Sequence, residues 1–225
     1  KVYGLPQLSR ESRGRAIVNL LNLSEGEQIA DCRAVRDFDL PGHFLTMATR
    51  DGLVKKTPLE AYSRPKKGGI IAIKLRDEDE LVDVVVTKPG DELILETASG
   101  MAIRFQESDA RSMGRNTSGV KGINLAAGDQ LVGMVVADPE ATLLTVCQNG
   151  YGKRTNFGAN STTDENAGEE DAASSARYRT QKRGGKGLRD IKATTRNGPV
   201  VGIVRVTEDD EILMMTARGK IQRIR

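Results

Sequence analysis

Phe44-Leu-Thr-Met-Ala-Thr-Arg-Asp-Gly52 is an apolar strand that runs into a turn dipeptide ending in glycine, and the same pattern recurs three times. The other copies are Leu93-Ile-Leu-Glu-Thr-Ala-Ser-Gly100, Leu143-Leu-Thr-Val-Cys-Gln-Asn-Gly150 and Ile212-Leu-Met-Met-Thr-Ala-Arg-Gly219. Asp51-Gly52 and Asn149-Gly150 are strong hairpin signals and predict two-residue type I′ turns, in which both central residues take positive φ. Four residues after each glycine stands a base, Lys56, Arg104, Arg154 or Arg223. Even spacing from the turn puts all four on one strand face.

A second element alternates with the hairpin: a basic, glycine-rich loop marked by Gly14, Gly69, Gly119 and Gly187, an I-x-L-like strand, an acidic turn and an apolar closing strand. The strand begins at Val18, Ile73, Ile123 or Ile191, and the closing strands are expected at 28–35, 81–86, 131–136 and 200–206. Four-stranded units recurring at about fifty residues fit the blades of an all-β propeller, in which radial stacking buries both sheet faces and protects the edges. Three units are whole and two are halves, so the expectation is one propeller domain over residues 1–225, a truncated part of a larger one.

Residues 160–176 depart from the pattern with Asp164, Glu165, Glu169, Glu170, Asp171 and no base. They predict a disordered acidic insertion that competes with phosphate for nearby cations. These acids also mask a body more basic than the net charge of +3, which favours a polyanionic partner. No long apolar run suggests a membrane span, and without an apolar leader the expected compartment is the cytoplasm. Cys32 and Cys147 have no CxxC partner and read as small core residues; no metal or catalytic constellation is expected.

The densest candidate site is Gln181-Lys182-Arg183-Gly184-Gly185-Lys186-Gly187, followed by Arg189. Glycines let a backbone approach a phosphate closely, and Lys and Arg supply the charge. No Ser or Thr follows Lys186, so this is not a nucleotide-triphosphate loop. The equivalent loops offer Arg13 and Arg15, then Arg64, Lys66 and Lys67, then Arg111, Arg115 and Lys121. Four basic loops at equivalent blade positions predict an arc of positive charge along one rim, gripping phosphates without reading sequence.

These seven residues resemble the gyrase A box, with Lys182 in place of an arginine as the only departure. The resemblance extends through Gly14-Arg-Ala-Ile-Val-Asn-Leu20, Ala72-Ile-Lys-Leu75, Gly114-Arg-Asn-Thr-Ser-Gly-Val-Lys-Gly122 and Gln148-Asn-Gly-Tyr-Gly-Lys-Arg154, and so through essentially the whole chain. It implies the C-terminal DNA-wrapping β-propeller, or β-pinwheel, family of gyrase A subunits, a six-bladed domain that bends duplex DNA in support of negative supercoiling. It further implies a chain without catalytic residues or cofactor of its own. A B subunit, a second A subunit, ATP and Mg2+ would belong to the holoenzyme. The family's defining box lies in the first blade, whereas this copy lies in a later unit. The alternatives are the corresponding propeller of topoisomerase IV, whose box is more eroded, and a protein-interaction propeller.

Overall fold

The computed structural model describes residues 28–64, 69–158 and 178–224, with positions 9, 11–13 and 26. Arg15, Lys66, Lys67 and the acidic segment 160–176 lie outside the described residues.

Three hairpins organise the chain: β1 (Phe44–Thr49) with β2 (Leu53–Pro58), β4 (Glu92–Thr97) with β5 (Met101–Gln106), and β8 (Thr142–Cys147) with β9 (Gly152–Asn156). Each pairs on one side with the next apolar closing strand: β3 (Leu81–Thr87) on β1, β7 (Leu131–Val136) on β4, and β11 (Val200–Val206) on β8. Because β3 packs against β7 and β7 against β11, these strands form the inner edge of three stacked sheets. The last hairpin, β12 (Ile212–Met215) with β13 (Ile221–Ile224), forms a two-stranded sheet.

The outer strand of a blade comes from elsewhere in the chain. β6 (Val120–Lys121) pairs with β2, and β10 (Leu188–Arg189) pairs with β5, giving the orders β3-β1-β2-β6 and β10-β5-β4-β7. A sequence repeat is therefore not a blade, as the alternation of elements had suggested. The loop of each later unit reaches back and closes the preceding hairpin, so neighbouring blades are joined through backbone as well as side chains.

Three further expectations are corrected. The turns are not type I′, because Asp51 and Asn149 have no positive φ. Gly52, Gly100, Gly150 and Gly219 alone carry it, each donating its N–H to the carbonyl three residues earlier, which is a type I turn ending in a G1 bulge. The I-x-L segments at Ile73, Ile123 and Ile191 are not strands: two-residue strands lie just before the last two, and Ile123 instead fills the core beside Gly52, while the segment at Val18 lies outside the described residues. Residues 28–35 form no strand either. Side chains hold that segment instead, Asp31 accepting the Val84 N–H at 3.0 Å and Arg33 reaching Asp83 at 2.8 Å.

The core lies between blades. Ala48 and Val54 of the first sheet meet Leu93, Leu95, Ile103 and Phe105 of the second, with Ile123 and Met134 closing the layer. Ile94, Ala102, Val135, Leu143, Phe157 and Tyr178 form the next layer. Of the two cysteines, Cys147 is buried as expected but Cys32 is exposed.

Candidate nucleic-acid interface

Gly119 and Gly187 set the loops against the blades. Both take positive φ, and a Cβ would lie 2.6 Å from the Val54 carbonyl at Gly119 and 2.3 Å from the Ala102 carbonyl at Gly187. A side chain cannot be accommodated there, so each glycine lets its loop lie directly on the outer strand of the preceding hairpin. Ladder bonds follow, Lys121 opposite Leu53 and Arg189 opposite Met101. The Gly52 carbonyl then accepts the Gly122 and Ile123 N–H groups, and the Gly100 carbonyl those of Asp190 and Ile191. The rim is thus built twice by one set of contacts.

Successive loops also touch each other. Lys74 N–H donates to the Thr117 carbonyl at 3.0 Å and, one unit on, Asn124 N–H to the Gly185 carbonyl at 2.8 Å. Gly184 N–H adds a bond to the Gly122 carbonyl at 2.7 Å. The loops around 69–75, 113–124 and 181–189 therefore form one continuous ridge, which brings Lys121 against the box.

Within this ridge the predicted residues divide. Lys182, Lys186, Arg189, Lys121 and Arg111 are exposed, and among the described residues none makes an ion pair. Arg13 and Arg64 are exposed on their own segments. Gln181 is half-buried, its N–H bound to the Arg104 carbonyl at 2.8 Å. Arg183 and Arg115 are half-buried and committed: Arg183 donates to the carbonyls of Asp109, at 3.0 Å, and Lys121, and Arg115 to that of Ile71 at 3.0 Å. Of the three box cations, Lys182 and Lys186 are thus exposed and Arg183 is held by backbone carbonyls.

The bases four residues after the hairpin glycines serve the blades. Lys56 meets Glu107 at 2.6 Å, Arg104 meets Glu92 at 2.5 Å, Arg154 meets Glu208 at 2.7 Å, and Arg223 pairs with Glu211. Arg104 is 1% exposed and also donates to the carbonyls of Phe157 and Tyr178. It joins the two chain ends that flank the acidic segment.

Two supports were not anticipated. Lys55, buried in β2, donates to the Ala72 carbonyl and, at 2.7 Å, to that of Arg115, so one ammonium ties two basic loops together. Burial first, then the charge of Arg115, push its pKa down to about 8. The adjacent pair Lys55-Lys56 held the clue, since alternation puts neighbouring strand residues on opposite faces and blade stacking buries both. The second support is a polar cluster beneath the box. Tyr178, before the box, donates to Asp190, just after it, and Asp190 also accepts Thr145 at 2.8 Å and the Lys153 ammonium at 3.0 Å. Burial pushes Asp190 up, but the bonds from Tyr178, Lys153 and Thr145 outweigh it and hold the carboxylate below its usual range.

Glu96, 0% exposed, sits beside this cluster. Burial, then the Asp190 charge, push its pKa up to about 9. The folded chain therefore keeps a proton on Glu96 that the unfolded chain releases near pH 4.5, and this contribution to stability declines as pH rises from about 4.5 to 9. Glu96→Gln, which mimics the protonated group, is expected to stabilise the chain by about 1–3 kcal/mol at pH 8 and by almost nothing near pH 5. Denaturant unfolding at the two pH values checks this; an equal effect at both would contradict it.

Fold and ridge together define a β-propeller whose blades are closed by basic loops from the following repeat. Residues 1–36, 43–88, 91–138 and 175–207 match the family described as DNA gyrase C-terminal domain, beta-propeller, and the chain belongs to that family. It is 44% identical over 225 residues to the DNA gyrase A protein of Salmonella typhimurium and 38% identical over 226 residues to that of Staphylococcus epidermidis. Both alignments cover 100% of this chain, which spans only about a quarter of either relative, 24% and 23%. Among solved structures, a DNA gyrase A C-terminal domain superposes with TM-score 0.76 at 29% identity, covering 95% of this chain and 65% of that one. The C-terminal domain of DNA topoisomerase IV gives 0.77 at 27% identity, with 94% and 60% covered.

Proposed function

We propose that this chain binds duplex DNA along its outer rim and bends it, as the DNA-wrapping part of a gyrase A protein in an enzyme that introduces negative supercoils. The observation that carries this reading is the continuous ridge, which presents Lys121, Lys182, Lys186 and Arg189 without acid partners among the described residues while the bases inside the blades are neutralised. Arg111, Arg13 and Arg64 add exposed positive charge, and Arg15, Lys66 and Lys67 lie outside the described residues. A curved row of cations suits a bent phosphate backbone. Exposed lysines aimed at phosphate confer little preference among bases.

The partners in this reading are the gyrase B protein, together with a second copy of the A protein. ATP and Mg2+ serve the holoenzyme, and the cytoplasm is the compartment. Among the described residues no helix is long and apolar enough to cross a membrane. The likeness to a topoisomerase IV domain supports a second reading as the corresponding propeller of that enzyme. The near-intact box at 181–187 favours gyrase.

Seven or eight engaged cations predict that log affinity for duplex DNA falls with log salt at a slope of about −6 to −7, from about 0.9 per neutralised phosphate. A salt titration of a mixed-sequence duplex checks this. Affinity independent of salt would contradict the reading.

A further inference from the structure

Arg115 and Arg183 occupy the same place in successive loops, four residues before the marker glycines Gly119 and Gly187. They also make the same contact. Arg115 donates to the carbonyl of Ile71, two residues after Gly69, and Arg183 donates to that of Lys121, two residues after Gly119. Arg183 further reaches the Asp109 carbonyl at 3.0 Å, so one guanidinium spans the entry and the exit of the preceding basic loop. The neighbouring backbone bonds recur too, Lys74 to Thr117 and Asn124 to Gly185. A contact repeated at two interfaces, on side chains half-withdrawn from solvent, differs in kind from the free lysines beside it.

We propose that Arg183 and Arg115 are positioning residues: they set the step between successive basic loops, and so the curvature imposed on the duplex, instead of gripping phosphate. This rests on the DNA-bending reading above. Only arginine suits the place at 183, because a planar guanidinium donates along divergent directions to two fixed carbonyls, whereas an ammonium is a single point. The free charges around it supply affinity, and the arginines fix where those charges stand.

Arg183→Lys in the full chain separates the two roles, since it keeps the charge and loses the span. Two readouts are needed. Without DNA, hydrogen exchange at the Gly184 and Asn124 amides is expected to accelerate at least about tenfold while the amides of β4 and β5 keep their protection, which also reports on folding. With DNA, the slope of log affinity against log salt is expected to stay near the wild-type value, whereas Lys186→Ala lowers it by about 1. The end-to-end distance of a doubly labelled duplex is expected to move toward that of free DNA. Arg115→Lys repeats the exchange test at the Lys74 amide, so the outcome does not depend on one variant.

Unchanged exchange in both variants overturns the proposal whatever DNA does. Faster exchange with an unchanged bend overturns the positioning role, and an Arg183→Ala slope reduced by about 1 and restored by lysine assigns the side chain to phosphate. If the wild-type chain leaves the duplex straight, the DNA-bending reading fails and the positioning role falls with it. The exchange result then still shows whether the arginines hold the loops.

Discussion

Gly187→Ala is expected to cost about 3 kcal/mol or more of stability, the largest effect of any single change in the ridge. Gly187 has φ +76°, and the added Cβ would stand 2.3 Å from the Ala102 carbonyl, far inside contact distance. Positive φ alone costs a non-glycine residue about 1 kcal/mol, and the overlap is with backbone, so β10 must lift off β5 to relieve it. The contacts that follow, from Asp190 and Ile191 to Gly100, would be lost with it. Gly185→Ala is the internal control: its φ is not positive and the nearest atom, the Lys182 carbonyl, is 3.5 Å from the new Cβ. It should change stability by less than about 1 kcal/mol. Denaturant unfolding of both variants checks this, and equal stabilities would show that the box does not depend on its seat.

The second large effect concerns DNA. Changing Lys121, Lys182, Lys186 and Arg189 together to alanine removes four exposed cations that make no ion pair among the described residues. The salt slope should fall in magnitude by about 3–4. Near 0.1 M salt the affinity should drop by about 10³–10⁴-fold, because each counterion no longer released is worth just under a decade there. Stability should change little, since these side chains are exposed. Weaker binding without a change of slope would mean that the four act through the fold and not through phosphate.

How far the sequence carried these conclusions differs from element to element. The hairpins and the closing strands β3, β7 and β11 were legible because positive-φ glycines and unbroken apolar runs are local signals. The turn type was not, since Asp-Gly and Asn-Gly suit both a type I′ turn and a type I turn with a G1 bulge. Blade exchange was hidden for a different reason. β6 and β10 are two residues each, too short to show periodicity, and their partners stand in the preceding repeat. The candidate site was legible as charge and glycine, down to Lys182, Lys186 and Arg189. The commitment of Arg183 was not, because its acceptors, the carbonyls of Asp109 and Lys121, belong to a loop more than sixty residues earlier. Nor did the sequence show that Lys56 and Arg104 are consumed by Glu107 and Glu92, a partition that decides which bases remain for DNA.

Everything proposed for the ridge turns on whether its basic loops curve a duplex around the outer edge of the propeller. Bending a short duplex costs on the order of 1–6 kcal/mol, which only contacts made by the curved form offset. The most direct test is the end-to-end distance of a doubly labelled duplex, measured at saturating protein so that affinity does not enter. The wild-type chain should give a distance clearly shorter than that of free DNA, with a return most of the way to the free value when Lys121, Lys182, Lys186 and Arg189 are alanine. A wild-type complex in which the duplex stays straight, or a variant complex with the wild-type bend, would contradict it.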